Sequence, residues 1–503
     1  MFPLKMYLTD GAGNITGTAF ADENSNNGTE EIKKMLAGGW LPVEYDYRMT
    51  QRWQSVLKRL GLESVKMLYG DGTFYKTLYA DRTEPKVRIG VLGGGRGYTL
   101  AEFCRQSDIA ELVAVCDNDP RCLDSLRERF GDGVAYYSDF DSFLTHETDL
   151  VVLANYANAH APFAIKALDA GKNVLSELLP VQTMSEACEL ADAVDRSGKL
   201  YIYGENCCFM AAPKKMKKLF DSGKMGEFRY GEGEYMHDLE KDWFRHSHSD
   251  PDHWRNTMTA FYYCTHSIGP LIHVSGLRPV SVTGFEAPYT EKMRRMGAKG
   301  APFGMEIITL ENGALIKSVH GVGPAEYSLW YSALGDAGKL ESERNILGGE
   351  GSGRLYAKTE PSSLENGVTL LDSKDEDTSD GLTELAKGFA HGGADFYMMY
   401  NACEAVRGNK QADIIGFYEA MDMFLPGMFA YFSVLDGGVP KKIPDLRDRA
   451  QRERYGNDRR CVDPAVAGYQ LLPSYSKGDP EIPEEVYESM RKRLREFYAT
   501  GDR

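Results

Sequence analysis

From Lys86 to about residue 209 the sequence alternates apolar runs with amphipathic stretches, and few folds accommodate that rhythm. VRIGVLGG, ELVAVCD, DLVVLANY, NVLSE and LYIYGEN read as buried strands. YTLAEFCRQ, PRCLDSLRERF, APFAIKALDAG and SEACELADAVDRSG read as the helices between them. A helix crossing over between two strands returns the chain to the end it started from, so those strands run parallel. Repeated strand–helix units predict a parallel sheet covered by helices, the α/β class, for residues 86–209.

The turn after the first strand reads Gly93-Gly94-Gly95-Arg96-Gly97-Tyr98. Glycines there let the backbone turn tightly and bring N–H groups against a pyrophosphate at the N-terminus of the next helix. A strict G-x-G-x-x-G would place glycine where Tyr98 stands. Asp117 ends the second strand, 24 residues after Gly93, at the spacing of a carboxylate that accepts from ribose hydroxyls. The same carboxylate repels a 2′-phosphate, so the cofactor expected in this Rossmann domain is NAD rather than NADP.

Residues 210–445 have another texture. After the helix MAAPKKMKKLFDSG come the strand candidates FRYGEGEYMHD, PVSVTGFEA, MEIITLENGALIKSVHG, YSLWYSALGDAGKLESE and RLYAKTE. Consecutive strands with few helices predict an α/β domain built on a large, mostly antiparallel open sheet. Two apolar helices, ADFYMMYNACEAVRG and IIGFYEAMDMFLPGMFAYFSVLDGG, are expected to pack back on the first domain. Residues 446–503 form a tail ending in the amphipathic helix PEEVYESMRKRLREFYA. Residues 1–85 read as an extension with two short helices, TEEIKKMLAGGW and MTQRWQSVLKRLGL, a hairpin strand GDGTFYKTLY and a polar linker DRTEPK. It carries no recognisable chemistry and suits an oligomerisation or lid element.

With 58 Lys and Arg against 74 Asp and Glu, the formal charge is −16. Binding a phosphate backbone requires neutralising it with cations, so no nucleic-acid partner is expected. Nine cysteines form an odd set without a C-x-x-C pair, which fits a reducing compartment. No signal sequence and no apolar run of about 18 residues is evident, so the expected location is cytoplasmic, with no membrane partner.

Three further stretches carry a resemblance. NYANAHAPFAIKALDAGKNVLSELLPV places Asn155, Asn158 and His160 in a turn before a helix and Glu177 at the end of the next strand. YIYGENCCFM ends a strand on Glu205 and Asn206, and YYCTHSIGPLIHVSGLRPVSVTG holds His266 ten residues before Gly276. Over about residues 86–445 the chain resembles the Gfo/Idh/MocA oxidoreductases. The resemblance implies that Asn155, Asn158, His160, Glu177 and Asn206 line the cofactor site, that His266 is the active-site histidine, and that open sheets pair into a homo-oligomer. The family's Glu-Lys-Pro lysine is missing: the sequence reads Glu177-Leu178-Leu179-Pro180, and leucine neither accepts a proton nor donates a hydrogen bond.

That loss resembles the family's NAD-dependent glycosidases of the α-N-acetylgalactosaminidase type. Trp254-Arg255, the block Tyr263-Cys264-Thr265-His266 with Gly269-Pro270, Tyr327, and His391-Gly392-Gly393-Ala394-Asp395-Phe396 match that subset. A tyrosine expected at position 209 is Phe209. The resemblance implies transient oxidation at sugar C3, loss of the C2 proton, expulsion of the C1 substituent, hydration and hydride return. His266 would contact the oxidised hydroxyl, and an imidazole titrates at about 6.5. Tyr263 would share its helical face, Tyr327 would act as acid or base from a strand, and Trp254, Arg255 and His391 would bind a small sugar or glycoside. Two other readings stay open: a sugar or glycoside dehydrogenase that forms a 3-keto product, and a non-catalytic NAD-binding protein. His237, Asp238, His246, His248, Asp250, Asp252 and His253 crowd one stretch, but HSHSDPDHW has turn composition and no H-E-x-x-H pair. It reads as a site rim rather than a metal site.

Overall fold

The computed structural model describes residues 3–10, 12, 14–43, 47–70, 72, 74–81, 85–324, 327–344, 354–359, 369–372 and 382–500. Of the predicted linker at 81–86, residues 82–84 lie outside them.

The alternation after Lys86 folds into a six-stranded parallel sheet in the order Tyr201–Tyr203, Asn173–Ser176, Leu150–Leu153, Val87–Leu92, Ala110–Cys116 and Ala135–Tyr137. Strand order reverses beside Val87–Leu92, where the chain leaves Ala135–Tyr137 and crosses to Leu150–Leu153 on the other side. Such a switch point opens a crevice at the carboxyl ends of the strands, and the glycine turn lies there. Leu150–Leu153 is fully buried, as an apolar strand covered on both faces must be.

The second sheet has nine strands, ordered Thr369–Asp372, Arg354–Thr359, Gly338–Ser342, Ser328–Gly335, Phe228–Met236, Leu315–Gly321, Gly304–Leu310, Pro279–Glu286 and Lys441–Lys442. Every pairing is antiparallel except that of Phe228–Met236 with Leu315–Gly321. The helix Thr265–Ser275 lies on this sheet and belongs to the same continuous core as the parallel sheet. Gly233 makes that contact close: a Cβ at this position would lie 2.0 Å from the Ser267 carbonyl oxygen. The helix Phe417–Leu435 sits on the strand Pro279–Glu286 in the same way, where a Cβ on Gly284 would lie 2.2 Å from Ala430 O.

The helix Ala394–Val406 packs on the first helix of the nucleotide-binding sheet, with the Phe396 and Phe103 rings 5.5 Å apart. Residues before position 85 form a small packed unit. The strands Leu4–Thr9, Ile15–Ala21 and Leu41–Pro42 pair beside the helices Gly28–Ala37 and Tyr47–Leu60, around Leu4, Met6, Ile32, Trp53, Leu57 and Met67. The first two strands escaped the sequence reading because Gly, Asn and Asp crowd the segment between and around them. Tyr69 ties the unit to the body by donating to Gly408 O at 2.6 Å. Among the described residues no helix is long and apolar enough to cross a membrane.

Candidate functional site

The glycine turn has the features a dinucleotide requires. Gly93 has φ +90°, and a Cβ on it would lie 2.6 Å from the Ala154 backbone. A Cβ on Gly97 would lie 2.6 Å from Val91 Cγ1, so glycine lets the helix press on the strand. Nothing lies within 4 Å of a Cβ placed on Gly95, which leaves backbone open for a pyrophosphate. Gly94 N–H donates to Asp117 Oδ2 at 2.7 Å, and Asp119 N–H donates to Asp117 Oδ1 at 2.8 Å. Asp117 thus ties the end of the second strand to the glycine turn. Oδ1 of Asn155 and Oδ1 of Asn206 are buried without a partner, acceptors suited to a cofactor's ribose or amide donors.

Several residues read as cofactor contacts are otherwise engaged. The Arg96 guanidinium bonds Glu177 Oε1 at 2.6 Å, both Asp395 oxygens at 2.6 and 2.8 Å, and Thr99 Oγ1 at 2.7 Å. Two carboxylates hold it, so it braces the turn instead of reaching freely for phosphate. Both His160 ring nitrogens face backbone carbonyls, Leu179 O at 2.9 Å and Asn155 O at 3.1 Å, and the residue is buried. Its role is to pin the Asn155 turn to the Leu178–Leu179 segment. Asn158 turns to Asp463 of the tail at 3.4 Å, and the Tyr98 ring packs 6.1 Å from Phe130.

Asp395, quoted in the sequence only as part of a motif, is a hub. Besides Arg96 it accepts from Asn206 Nδ2 at 2.9 Å and pairs with His391 Nδ1 at 3.1 Å. Burial raises its carboxyl, but hydrogen bonds from His391 and Arg96 outweigh that and hold it well below the usual carboxylate range. His391, read as a sugar contact, therefore stands beside the Arg96 brace.

Asn206 leads directly to the second cluster. Glu205, the residue before it, is fully buried, and its Oε1 lies 2.7 Å from His266 Nδ1. Burial raises the Glu205 carboxyl, while the His266 charge and hydrogen bonds lower it further, so the net shift is downward. Cys207 N–H also donates to Oε1 at 3.1 Å, and Cys207 Sγ lies 3.2 Å from Nδ1. Tyr331 hydroxyl donates to the His266 carbonyl, fixing the start of the helix. Rings surround the imidazole: Tyr235 at 4.4 Å and Tyr263 at 5.2 Å between centroids.

Tyr263 reaches His266 from outside the helix, which begins at Thr265; the predicted shared helical face is replaced by a turn that folds the phenol back. Tyr327 likewise precedes its strand, which begins at Ser328, and stands 4.9 Å from the His237 ring. His237 Nδ1 meets Tyr235 hydroxyl at 3.3 Å, so Tyr327 joins the cluster through His237 and Tyr235. The Arg255 guanidinium lies 4.4 Å from the Trp254 ring and 5.6 Å from that of Tyr263, with no carboxylate partner among the described residues. Trp254 also faces Tyr262 and a cavity of about 380 Å³ shared with Asn158 and Asp463.

The histidines of the rim are held neutral near pH 7. Burial and the neighbouring Arg255 charge lower His246 to about 4 and His253 to about 3; burial, His266 and Arg255 lower His237 to about 4. Among the described residues the rim brings no three ligand atoms together. Tyr235, Cys207 and Tyr331 are the site residues absent from the sequence reading. Glu205 and Asp395 stood there only inside quoted motifs, with no role of their own.

A model of an oxidoreductase family with an NAD-binding Rossmann fold matches residues 87–205. A glycosyl hydrolase family 109 protein from Solibacter usitatus is 26% identical over 400 residues, covering 72% of this chain and 88% of its own length. An alpha-N-acetylgalactosaminidase from Bacteroides fragilis is 23% identical over 398 residues, covering 72% and 92%. In structure, the WlbA dehydrogenase from Bordetella pertussis, solved with NADH and UDP-GlcNAcA, aligns with a TM-score of 0.56 at 18% identity over 72% of this chain and 99% of its own. An oxidoreductase from Agrobacterium radiobacter in complex with NAD+, L-tartaric acid and magnesium gives 0.58 at 15%, covering 71% and 98%. Residues 87–205 belong to the Gfo/Idh/MocA oxidoreductase family, and the chain is an NAD-dependent enzyme.

Proposed function

We propose that the chain is a redox-neutral glycosidase acting on a small glycoside. The observation that carries this reading is the Glu205–His266 pair beside the cofactor crevice, in a site whose usual lysine position holds only the buried Leu178 and Leu179. NAD+ held on the glycine turn would accept hydride from C3 and return it after cleavage, and the ketone present in between would make the neighbouring C2 proton acidic.

The Glu205 carboxylate accepts the Nδ1 proton and leaves His266 Nε2 as the lone pair that takes a proton from the sugar hydroxyl. Tyr235 and Tyr263 flank that imidazole, and burial raises both phenols, which keeps them protonated as donors. Arg255, without a carboxylate of its own, offers its N–H groups to sugar oxygens. The neutral histidines of the rim supply further hydrogen-bonding edges and exclude water from the ketone stage. The names of the relatives support a glycosidase; the dehydrogenase neighbours share the fold and keep the alternative alive.

The test is cleavage of a glycoside panel in D₂O with no added cofactor. The expected product carries deuterium at C2, and reduced nicotinamide does not accumulate. Cleavage with C2 hydrogen fully retained would overturn the mechanism, and stoichiometric release of NADH would establish the dehydrogenase instead.

A further inference from the structure

We infer that Glu205, Cys207 and His266 form a binding site for a zinc-like divalent cation, and that occupancy by the metal switches the enzyme off. Among the described residues, one set of three His, Cys or carboxylate ligand atoms lies within 4.8 Å of one another, and it is this one. The set is built from the turn Asn206–Phe209 and the residue before it on one side, and the first turn of the helix Thr265–Ser275 on the other.

All three side chains are buried, and Glu205 Oε2 has no hydrogen-bond partner. A buried carboxylate oxygen left unsatisfied is costly, and a cation would satisfy it. The donor set selects the cation. Thiolate, imidazole and carboxylate together suit zinc, whereas magnesium and calcium take oxygen ligands. Tetrahedral zinc bonds of about 2.0–2.3 Å separate ligand atoms by roughly 3.3–3.6 Å. The present spacings are 2.7 Å from Nδ1 to Oε1 and 3.2 Å from Nδ1 to Sγ. Opening the set by roughly half an ångström admits the ion and leaves the fourth position to water.

Zinc takes a cysteine as thiolate, so the metal must displace the Cys207 thiol proton. It must also displace the Nδ1 proton that now bonds Glu205. The remaining proton of the neutral ring then resides on Nε2, and that nitrogen becomes a donor with no lone pair to offer. Metal binding thus removes the base function assigned to His266. This consequence rests on the proposed function; the binding site itself does not.

Titration of the full chain with Cd²⁺, a thiophilic probe for the same set, tests the site directly. The ultraviolet thiolate-to-metal charge-transfer band should rise to one ion per chain and be displaced by Zn²⁺. It should disappear in Cys207→Ser and persist in Cys208→Ser, the neighbouring buried thiol. His266→Gln should weaken Cd²⁺ binding by more than about 10–100-fold, the effect of losing even an outer-shell partner. This second variant decides the matter if Cys207→Ser does not fold. A wild-type chain without the band, or a folded Cys207→Ser or His266→Gln chain that binds Cd²⁺ unchanged, would overturn the site. Binding of Zn²⁺ with full turnover would leave the site standing and overturn the switch, and with it the base role of His266.

Discussion

His266 Nδ1 and Glu205 Oε1 lie 2.7 Å apart although the residues are 61 positions apart in the chain. One belongs to the helix seated on the large sheet and the other follows the last strand of the parallel sheet, so the pair forms only when the two sheets dock. The carboxylate fixes which imidazole nitrogen carries the proton and would stabilise the imidazolium formed during turnover. Glu205→Gln keeps the shape and loses the charge. Turnover is expected to fall by about 10²–10⁴-fold, the usual scale of a general acid–base contribution. KM should move far less. Steady-state kinetics beside C2 exchange in D₂O checks this: both should fall together, and a change confined to KM would show that Glu205 acts on binding.

Asp395 offers a separate test, since it holds Arg96, Asn206 and His391 while nearly fully buried. Asp395→Asn leaves Arg96 with Glu177 as its remaining carboxylate and removes charged hydrogen bonds from a mostly buried position, a loss of about 1.5–3 kcal/mol. The Asp395 carboxyl is depressed in the folded state. Its stabilisation is therefore complete above the ordinary carboxylate pKa of about 4 and lost progressively as pH falls below it. Denaturant unfolding should show a large difference between wild type and variant at neutral pH that narrows in acid. A difference independent of pH would show that packing, not charge, holds the hub.

His273 titrates with the opposite sign. It lies two helical turns beyond His266, with Nδ1 2.6 Å from Glu419 and Nε2 3.2 Å from Asp413. Burial lowers the imidazole, but hydrogen bonds to Asp413 and Glu419 outweigh it and raise the group to about 9. A raised cationic group stabilises the fold fully below its unfolded value, about 6.5, and ceases to do so as pH rises through 9. His273→Gln should therefore destabilise most near pH 6 and progressively less towards pH 9. Thermal melting across that range is the measurement, and a constant penalty would sink the assignment of charge.

Leu178 and Leu179 stand where the family's lysine is expected, and Leu179 is fully buried. Leu179→Lys introduces an ammonium with no carboxylate prepared to receive it, and an unpaired buried charge costs several kcal/mol. The expected result is a lower melting temperature with no gain in NADH release from free sugars. A stable variant that reduces NAD+ rapidly would mark the wild type as a dehydrogenase with a decayed motif.

The sequence by itself determined the parallel sheet, the glycine turn and the mostly antiparallel character of the second sheet. These are local matters: strand–helix alternation, a turn only glycine tolerates, and consecutive strands with few helices between them. Its placements of Arg96, Asn158 and His160 were altered because their side chains meet partners far away in the chain. Arg96 meets Asp395 and Asn158 meets Asp463, while His160 is claimed by the carbonyl of Leu179. Tyr235, Tyr331 and Cys207 had no spacing to announce them. The first two alternate with packing residues on strands, where any aromatic satisfies the pattern. Only the docking of the helix Thr265–Ser275 between the two sheets decided that they surround His266. That docking depends on Gly233, where the absence of a side chain lets the helix backbone come to rest on the strand.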